Sequence, residues 1–356
     1  MNSFLAVTAL VAFVSFMLVL PLVPSLTELQ RKTDALPLSV VQQNAGEIRH
    51  FANSFRTYIQ GLEATLRQCA DSGSTASGTL PDGTEYFAIG RADETPVFLL
   101  ERNAPCHFVI AAAADLSVPA QVTFSNDIYT RGRFLGGEKN NYRAILCEGN
   151  LHLGPSSCVQ RWVHAVGELN ADAGCQLYGR ASSDSVLRLR RDCVFLRLNA
   201  PRIEIGRVED IGPAPSHSNL VASMDSLVPQ RFLYPGDFAI EAGQTVRGNL
   251  VVRGRLRVGR GAQVYGSVKS GKEMILEDGV GVEGSLVSAT TLRIGGGCSI
   301  HGPIIAERGM LIQAGTRCGS PDQATTVSAP HIEVEEGVVI FGTLWARDSG
   351  EVVAKA

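Results

Sequence analysis

The chain is poor in aromatic residues, in charge and in paired cysteines, and each shortage narrows what it can be. Phe, Trp and Tyr make up 6% of its 356 residues, and Asp, Glu, Lys and Arg 19%, below the roughly 25% charge of an average globular chain. Neither sign is in excess. The net charge is −3 with both signs interspersed, so nothing calls for nucleic acid. The eight cysteines (Cys69, Cys106, Cys147, Cys158, Cys175, Cys193, Cys298 and Cys318) include no CxxC or CxxxC pair. Their scattered spacing is not that of a small disulfide scaffold, and they read as small core thiols in a reducing compartment. No Gly-rich phosphate loop is followed by Lys-Ser/Thr, and no Gly-x-Ser-x-Gly elbow occurs. The seven histidines show no three-ligand spacing, and the carboxylates no pairing. The expectation is therefore a protein that is not an enzyme, with no cofactor and no metal.

Charge is missing altogether from residues 4–23. Twenty uncharged, mostly apolar residues suffice to cross a hydrocarbon core of ~30 Å. A cleaved signal peptide would want a basic n-region and a small-residue cleavage site. Only Met-Asn-Ser precedes the run and no Ala-x-Ala follows it, so residues 1–24 read as an uncleaved anchor. Arg31 and Lys32 follow the span and no Lys or Arg precedes it. The positive-inside rule then predicts a single-pass protein of the inner (cytoplasmic) membrane with its bulk in the cytoplasm.

From Leu38 the apolar positions step by 3 and 4 through Val41, Ala45, Ile48, Ala52, Phe55, Ile59, Leu62 and Leu66. This spacing predicts a helix over 37–69, either a coiled-coil stalk or a helix packed on its own chain's body. The small polar stretch 70–78 reads as a flexible linker.

Glycine, by contrast, is abundant, at 37 residues, and it is periodic. Val246-x-Gly248-x-Leu250 returns eighteen positions later as Val264-x-Gly266-x-Val268. It recurs at the same step as Val282-x-Gly284-x-Leu286 and as Ile300-x-Gly302-x-Ile304. A second pair, such as Leu256-x-Val258 or Leu292-x-Ile294, lies between, with Gly261, Gly279, Gly297 and Gly315 three residues beyond each. Short alternating segments joined by glycine corners are half-buried strands turned into a coil. The pattern predicts a mainly β chain built on a β-helix (solenoid) of 18-residue triangular rungs over 238–346, with an insertion around 319–330. Gly295-Gly-Gly297 is a corner of this register, not a phosphate site. The same grammar recurs less cleanly over 122–205, where Ile203-x-Ile205 arrives about two residues early. Residues 79–121 read as β-rich without a definite place. Residues 206–237, with Pro213, Pro215, Pro229 and Pro235, read as an excursion, and 347–356 as a tail.

These rungs, with Val/Ile-x-Gly-x-Leu/Val at their centre, resemble those of the bactofilins, polymer-forming bacterial cytoskeletal proteins. The likeness covers 238–346 well and 122–205 weakly. It implies a right-handed β-helix that polymerises end to end without nucleotide. It also implies a membrane-associated scaffold that positions envelope or polysaccharide machinery. The partners implied are other copies of the chain, membrane lipid and machinery proteins. The chain departs from the common pattern in its second, degenerate block and in its anchor.

Three further expectations concern particular residues. After the rung ending at 346 too few residues remain for a cap, so Phe341 and Trp345 become a candidate self-assembly face at a bare strand edge. An 18-residue rung is also three hexapeptides, so a hexapeptide-repeat acyltransferase is an alternative, with His301 or His331 as its base. A non-polymerising accessory protein of a polysaccharide or secretion system is another. Arg188, Arg190, Arg191 and Arg197 form a basic cluster, read as outward rung residues or as a contact for anionic lipid or polysaccharide.

Overall fold

In the computed structural model the described residues are 49–91, 105–207 and 230–354, together with positions 8, 10, 13, 16, 17 and 20. The chain divides into two compact units, Met1–Glu47 and Ile48–Ala356. Most of the expected anchor over 1–24 lies outside the described residues. Thr8, Leu10, Phe13, Phe16 and Met17 are helical, and the Leu20 N–H donates to the Phe16 carbonyl at 2.9 Å. Among the described residues no helix is long and apolar enough to cross a membrane.

The larger unit is a β-solenoid of about 13 turns. Its three faces are parallel ladders in which each strand pairs with the one a rung earlier and a rung later. On the first face Glu85–Ile89 pairs with Val109–Ala112, and the ladder continues through Ile128–Thr130 into Asn141–Cys147. The solenoid therefore begins within 79–121, ahead of the expected start at 122. A second ladder starts at Arg231–Tyr234, so the later block begins seven residues before the expected boundary at 238. Residues 208–229 of the expected excursion lie outside the described residues.

Alternation dictates which side chains fill the core. Leu250, Val252, Leu256, Val258, Val264 and Val268 point inward and are buried. So are Val282, Leu286, Ile300 and Ile304 in the rungs that follow. Val246, in the first rung of this block, is only half buried and packs against the same core. Gly248, Gly266, Gly284 and Gly302 stack at one corner. A Cβ on Gly284 would lie 2.5 Å from the backbone of Gly266, so only glycine lets the rungs close to ladder spacing there. The early arrival of Ile203 has a local cause. Two corners lose one residue each, so that Arg180 pairs with Arg197 and Val186 with Arg202. The insertion near the end is a loop after Cys318 that returns at Thr325–Glu335.

The two blocks form one stack, and they meet in reverse. The last strand of the first block, Val194–Ile205, runs antiparallel to the last strand of the second, Val339–Val353. Contact is made on all three faces: Phe195 opposite Gly350, Leu198 opposite Leu344, and Ile203 opposite Ile340. The Asp192 N–H donates to the Val352 carbonyl at 3.0 Å, and the Gly337 N–H to the Ile205 carbonyl at 2.7 Å. Both blocks thus satisfy their final backbone edges on each other. Two expectations fall here. Residues 347–353 are not tail but the end of the closing strand, and the rung bearing Phe341 and Trp345 is not a bare edge.

In the heptad region one of the two expected arrangements is found. The region forms α1 (His50–Ile59), a 3-10 turn (Gln60–Leu62) and α2 (Glu63–Ser72), while positions 38, 41, 45 and 48 lie outside the described residues. The described part of its seam packs on the chain's own body. Ala52, Phe55, Ile59, Leu62 and Leu66 bury against the outer side of the first face, on Ala88, Val109, Ala111, Ala144 and Trp162. Phe55 meets Trp162 edge-on at 5.6 Å between ring centres. A two-stranded coiled coil and a helix lying on a flat sheet ask for the same apolar stripe, so spacing alone does not separate them. The expected linker 70–78 is ordered too. Gly73 ends α2 with φ +66°, and Thr75–Thr79 pairs antiparallel with Glu85–Ile89. Small polar composition resembles a linker until a neighbouring strand supplies its backbone partners.

Candidate assembly and attachment surfaces

The remaining solenoid end of the second block carries the first candidate surface. The strands Arg231–Tyr234, Phe238–Ile240 and Thr245–Arg247 each pair with one strand on the inner side. Among the described residues none has a partner on the outer side. The Phe238 N–H and the Ile240 carbonyl both bond the next rung. Backbone groups alternate in direction along a strand, so those of Ala239 face the open edge. The core is plugged here by half-buried aromatics: Phe232, Tyr234 and Phe238 pack on it, and the last two rings stack at 3.7 Å. Leu233, pointing sideways, is 58% exposed. Sequence reading missed this edge because it placed the boundary at 238 and looked for the free edge at the C-terminus.

Phe341 is half buried. Trp345, 39% exposed, lies on the first face with the Arg197 guanidinium 5.0 Å above its ring. Both belong to the closing strand, which is paired across the junction, and their side chains point sideways from it.

The basic cluster disperses. Arg188 is clamped between Glu168 and Glu204, each at 2.6 Å. Arg191 lies 3.9 Å from Asp192, and Arg197 belongs to a different face from Arg188. The two candidate bases are also apart. His301 lies 3.1 Å from Glu283, and His331 bonds the Ser349 hydroxyl at 2.9 Å with its side chain 64% exposed. Among the described residues no group of three His, Cys, Asp or Glu is placed to hold a metal. The eight cysteines are free, seven of them buried. Burial raises the Cys298 thiol to about 11 and the Cys147 thiol to about 12, so both stay protonated at neutral pH.

One polar constellation lies beneath α1. His164 Nδ1 is 2.9 Å from the Ser182 hydroxyl, and its Nε2 is 3.8 Å from Asp184, which also holds Arg49 at 2.7 Å. A Ser–His–Asp grouping invites a nucleophile reading, but His164 is 2% exposed and Ser182 4%, which leaves a substrate no approach. The arrangement acts on stability instead. Burial holds the imidazole below its ordinary pKa; Arg56 and Arg49 push the same way, while Asp184 and Glu148 oppose. The unfolded chain binds a proton near pH 6.5 that the folded chain resists. Stability is therefore full above that pH and falls below it, by up to about 1.4 kcal/mol per pH unit. Melting temperatures at pH 7.5, 6.0 and 5.0 should drop more for the wild type than for His164→Asn. Equal slopes would remove His164 as the cause.

Comparison with protein-family models, with curated proteins and with solved structures returns no match.

Proposed function

We propose that this chain is a self-assembling structural scaffold of bactofilin type, anchored in the inner membrane by residues 1–24 with its body in the cytoplasm, and positioning envelope or polysaccharide machinery. The observation that carries the reading is the three-sided strand edge at 231–247, apolar at its centre and unpartnered among the described residues. Such an edge is a template for another strand. The chain already shows the outcome in its own junction, where two final rungs close antiparallel on each other. A second copy offering the same edge about a two-fold axis would repeat that pairing. The anchor is supported by twenty uncharged residues in sequence, and by Leu10, Phe13, Phe16 and Met17, helical and exposed.

One feature favours a discrete assembly over a filament, the reading of a non-polymerising accessory protein. The far end begins with the polar strand Thr75–Thr79, set antiparallel on its neighbour. The two ends therefore differ, and like-to-like pairing at 231–247 alone joins two chains and stops.

Negative-stain electron microscopy of the detergent-solubilised full chain, without nucleotide, tests this. Assemblies of two or more bodies are expected. They should be lost in Phe232→Glu/Phe238→Glu and kept in Phe341→Asp/Trp345→Asp, with circular dichroism showing all three folded. Assemblies that survive the first pair and vanish with the second would move the interface to the lateral face. Single bodies throughout would end the self-assembly reading.

A further inference from the structure

We propose that the first face of the second block is a contact surface for an anionic lipid bilayer. The proposal rests on the anchored-scaffold reading, since an anchor would hold the body beside a membrane. On this face one outward position of each strand stands in register over the next: Leu233, Val251, Lys269, Val287, Ile305, then Ser328 and Trp345. The column spans about 29 Å at ~4.8 Å per rung. Past the junction it continues through Arg197 and Arg180 to Trp162. There α1 and α2 cover the sheet, so the apolar column is closed on the first block and open on the second. Leu233, Ile305 and Trp345 are among the exposed large apolar side chains of the described residues.

Charge decides what fits. Lys269 and Arg197 lie in the column, Arg231 beside it, and Arg253 and Arg347 at one corner; Arg180, further along the first block, stacks on Phe51 of α1 at 5.0 Å. Among the described residues none of the six has a carboxylate partner. On the face that carries Phe238–Ile240 and Leu256–Val258, by contrast, Arg255 pairs with Asp237 at 3.0 Å, and Arg257 with Glu277. The acids at the corners of the first face are Glu307, Asp322, Asp348 and Glu283; His331 lies 3.8 Å from Asp348, and His301 engages Glu283. The Arg197 Nε has no hydrogen-bond partner. Aliphatic side chains, unpaired cations and a tryptophan on a flat sheet are the chemistry of a surface that lies on anionic headgroups. Trp345 supplies an aromatic ring of the kind that favours the interface.

The chain has two tryptophans, so Trp162→Phe leaves Trp345 as the reporter. The full-length variant is mixed with vesicles of phosphatidylcholine alone, or of phosphatidylcholine with roughly one lipid in three replaced by phosphatidylglycerol. Both contain brominated lipid, and pelleting and fluorescence are read together. With the anionic vesicles, Trp345 emission should shift to the blue and fall at least two-fold. Both effects should disappear in Arg231→Glu/Lys269→Glu. Pelleting with both vesicle types without quenching would overturn this proposal and leave the anchor standing. Pelleting and quenching with the anionic vesicles only would keep this surface and remove the anchor. No pelleting would remove both. A blue shift that grows with protein concentration in the absence of vesicles would assign the face to a second copy and overturn the lipid reading.

Discussion

A double substitution, Asn199→Cys with Thr343→Cys, is expected to close an intramolecular disulfide across the junction of the two blocks. The two residues face each other in the antiparallel pairing, with Asn199 Nδ2 donating to Thr343 Oγ1 at 2.9 Å. They are 144 positions apart in sequence. In the chain-entropy limit, closing so long a loop stabilises by about 5 kcal/mol. The measurement is the mass and non-reducing mobility of the oxidised protein, then its melting temperature with and without reductant. The arrangement is demanding. Had the second block simply continued the first in the same direction, residue 343 would lie seven rungs away, about 34 Å. No disulfide could then form. Absence of the cross-link in a folded double variant would refute the reversed stack.

The second large effect separates two glycine columns of the same repeat. Gly284→Asn is expected to cost roughly 3 kcal/mol or more, and Gly297→Asn under about 1 kcal/mol. At Gly284 the difficulty is space. A Cβ meets the carbonyl carbon and oxygen of Gly266, where the Gly284 N–H also bonds at 3.1 Å. At Gly297 it is conformation. The residue has φ +66° and nothing stands within 4 Å of its would-be Cβ. The first block supplies its own control. At the corresponding corner Lys139, Ser156 and Asp192 hold φ between +56° and +61°. Side chains are thus already tolerated there, and asparagine enters the left-handed region at little cost. Thermal melts of the two single variants check this, and equal losses would contradict the division.

That division bears on how much of the protein could be read beforehand. The repeat's fixed spacing marks both glycine columns alike, and it located the inward positions from Val264 to Ile304 without reference to coordinates. What it could not show is why each glycine is there, since room and backbone angle leave the same letter. Residues 122–205 were harder for a related reason. Their corners use Lys139, Ser156 and Asp192 in place of glycine, and shortened corners around Leu196 and Ala200 shift the register. The hydrogen-bonded ladder tolerates both changes, because each strand needs only its two neighbours.

The candidate surfaces were the least legible. Phe341 and Trp345 looked terminal because they lie near the end of the chain, whereas the strand edge without a partner among the described residues is that of Arg231–Tyr234 and its companions. The α1–α2 seam has the spacing of a coiled coil, and its partner proved to be the sheet carrying Val109, Ala144 and Trp162.

The sequence by itself therefore determined the rung, its period, its inward side chains and its corners. These are set between residues a few positions or one coil apart, where alternation and turn chemistry act locally. Only the tertiary structure decided the direction in which the second block is stacked, which edge is left open and which face is covered. Backbone hydrogen bonds across a strand edge are the same for every residue type except proline. The choice between parallel continuation and antiparallel closure therefore leaves no mark in the letters, and is made where two complete edges meet.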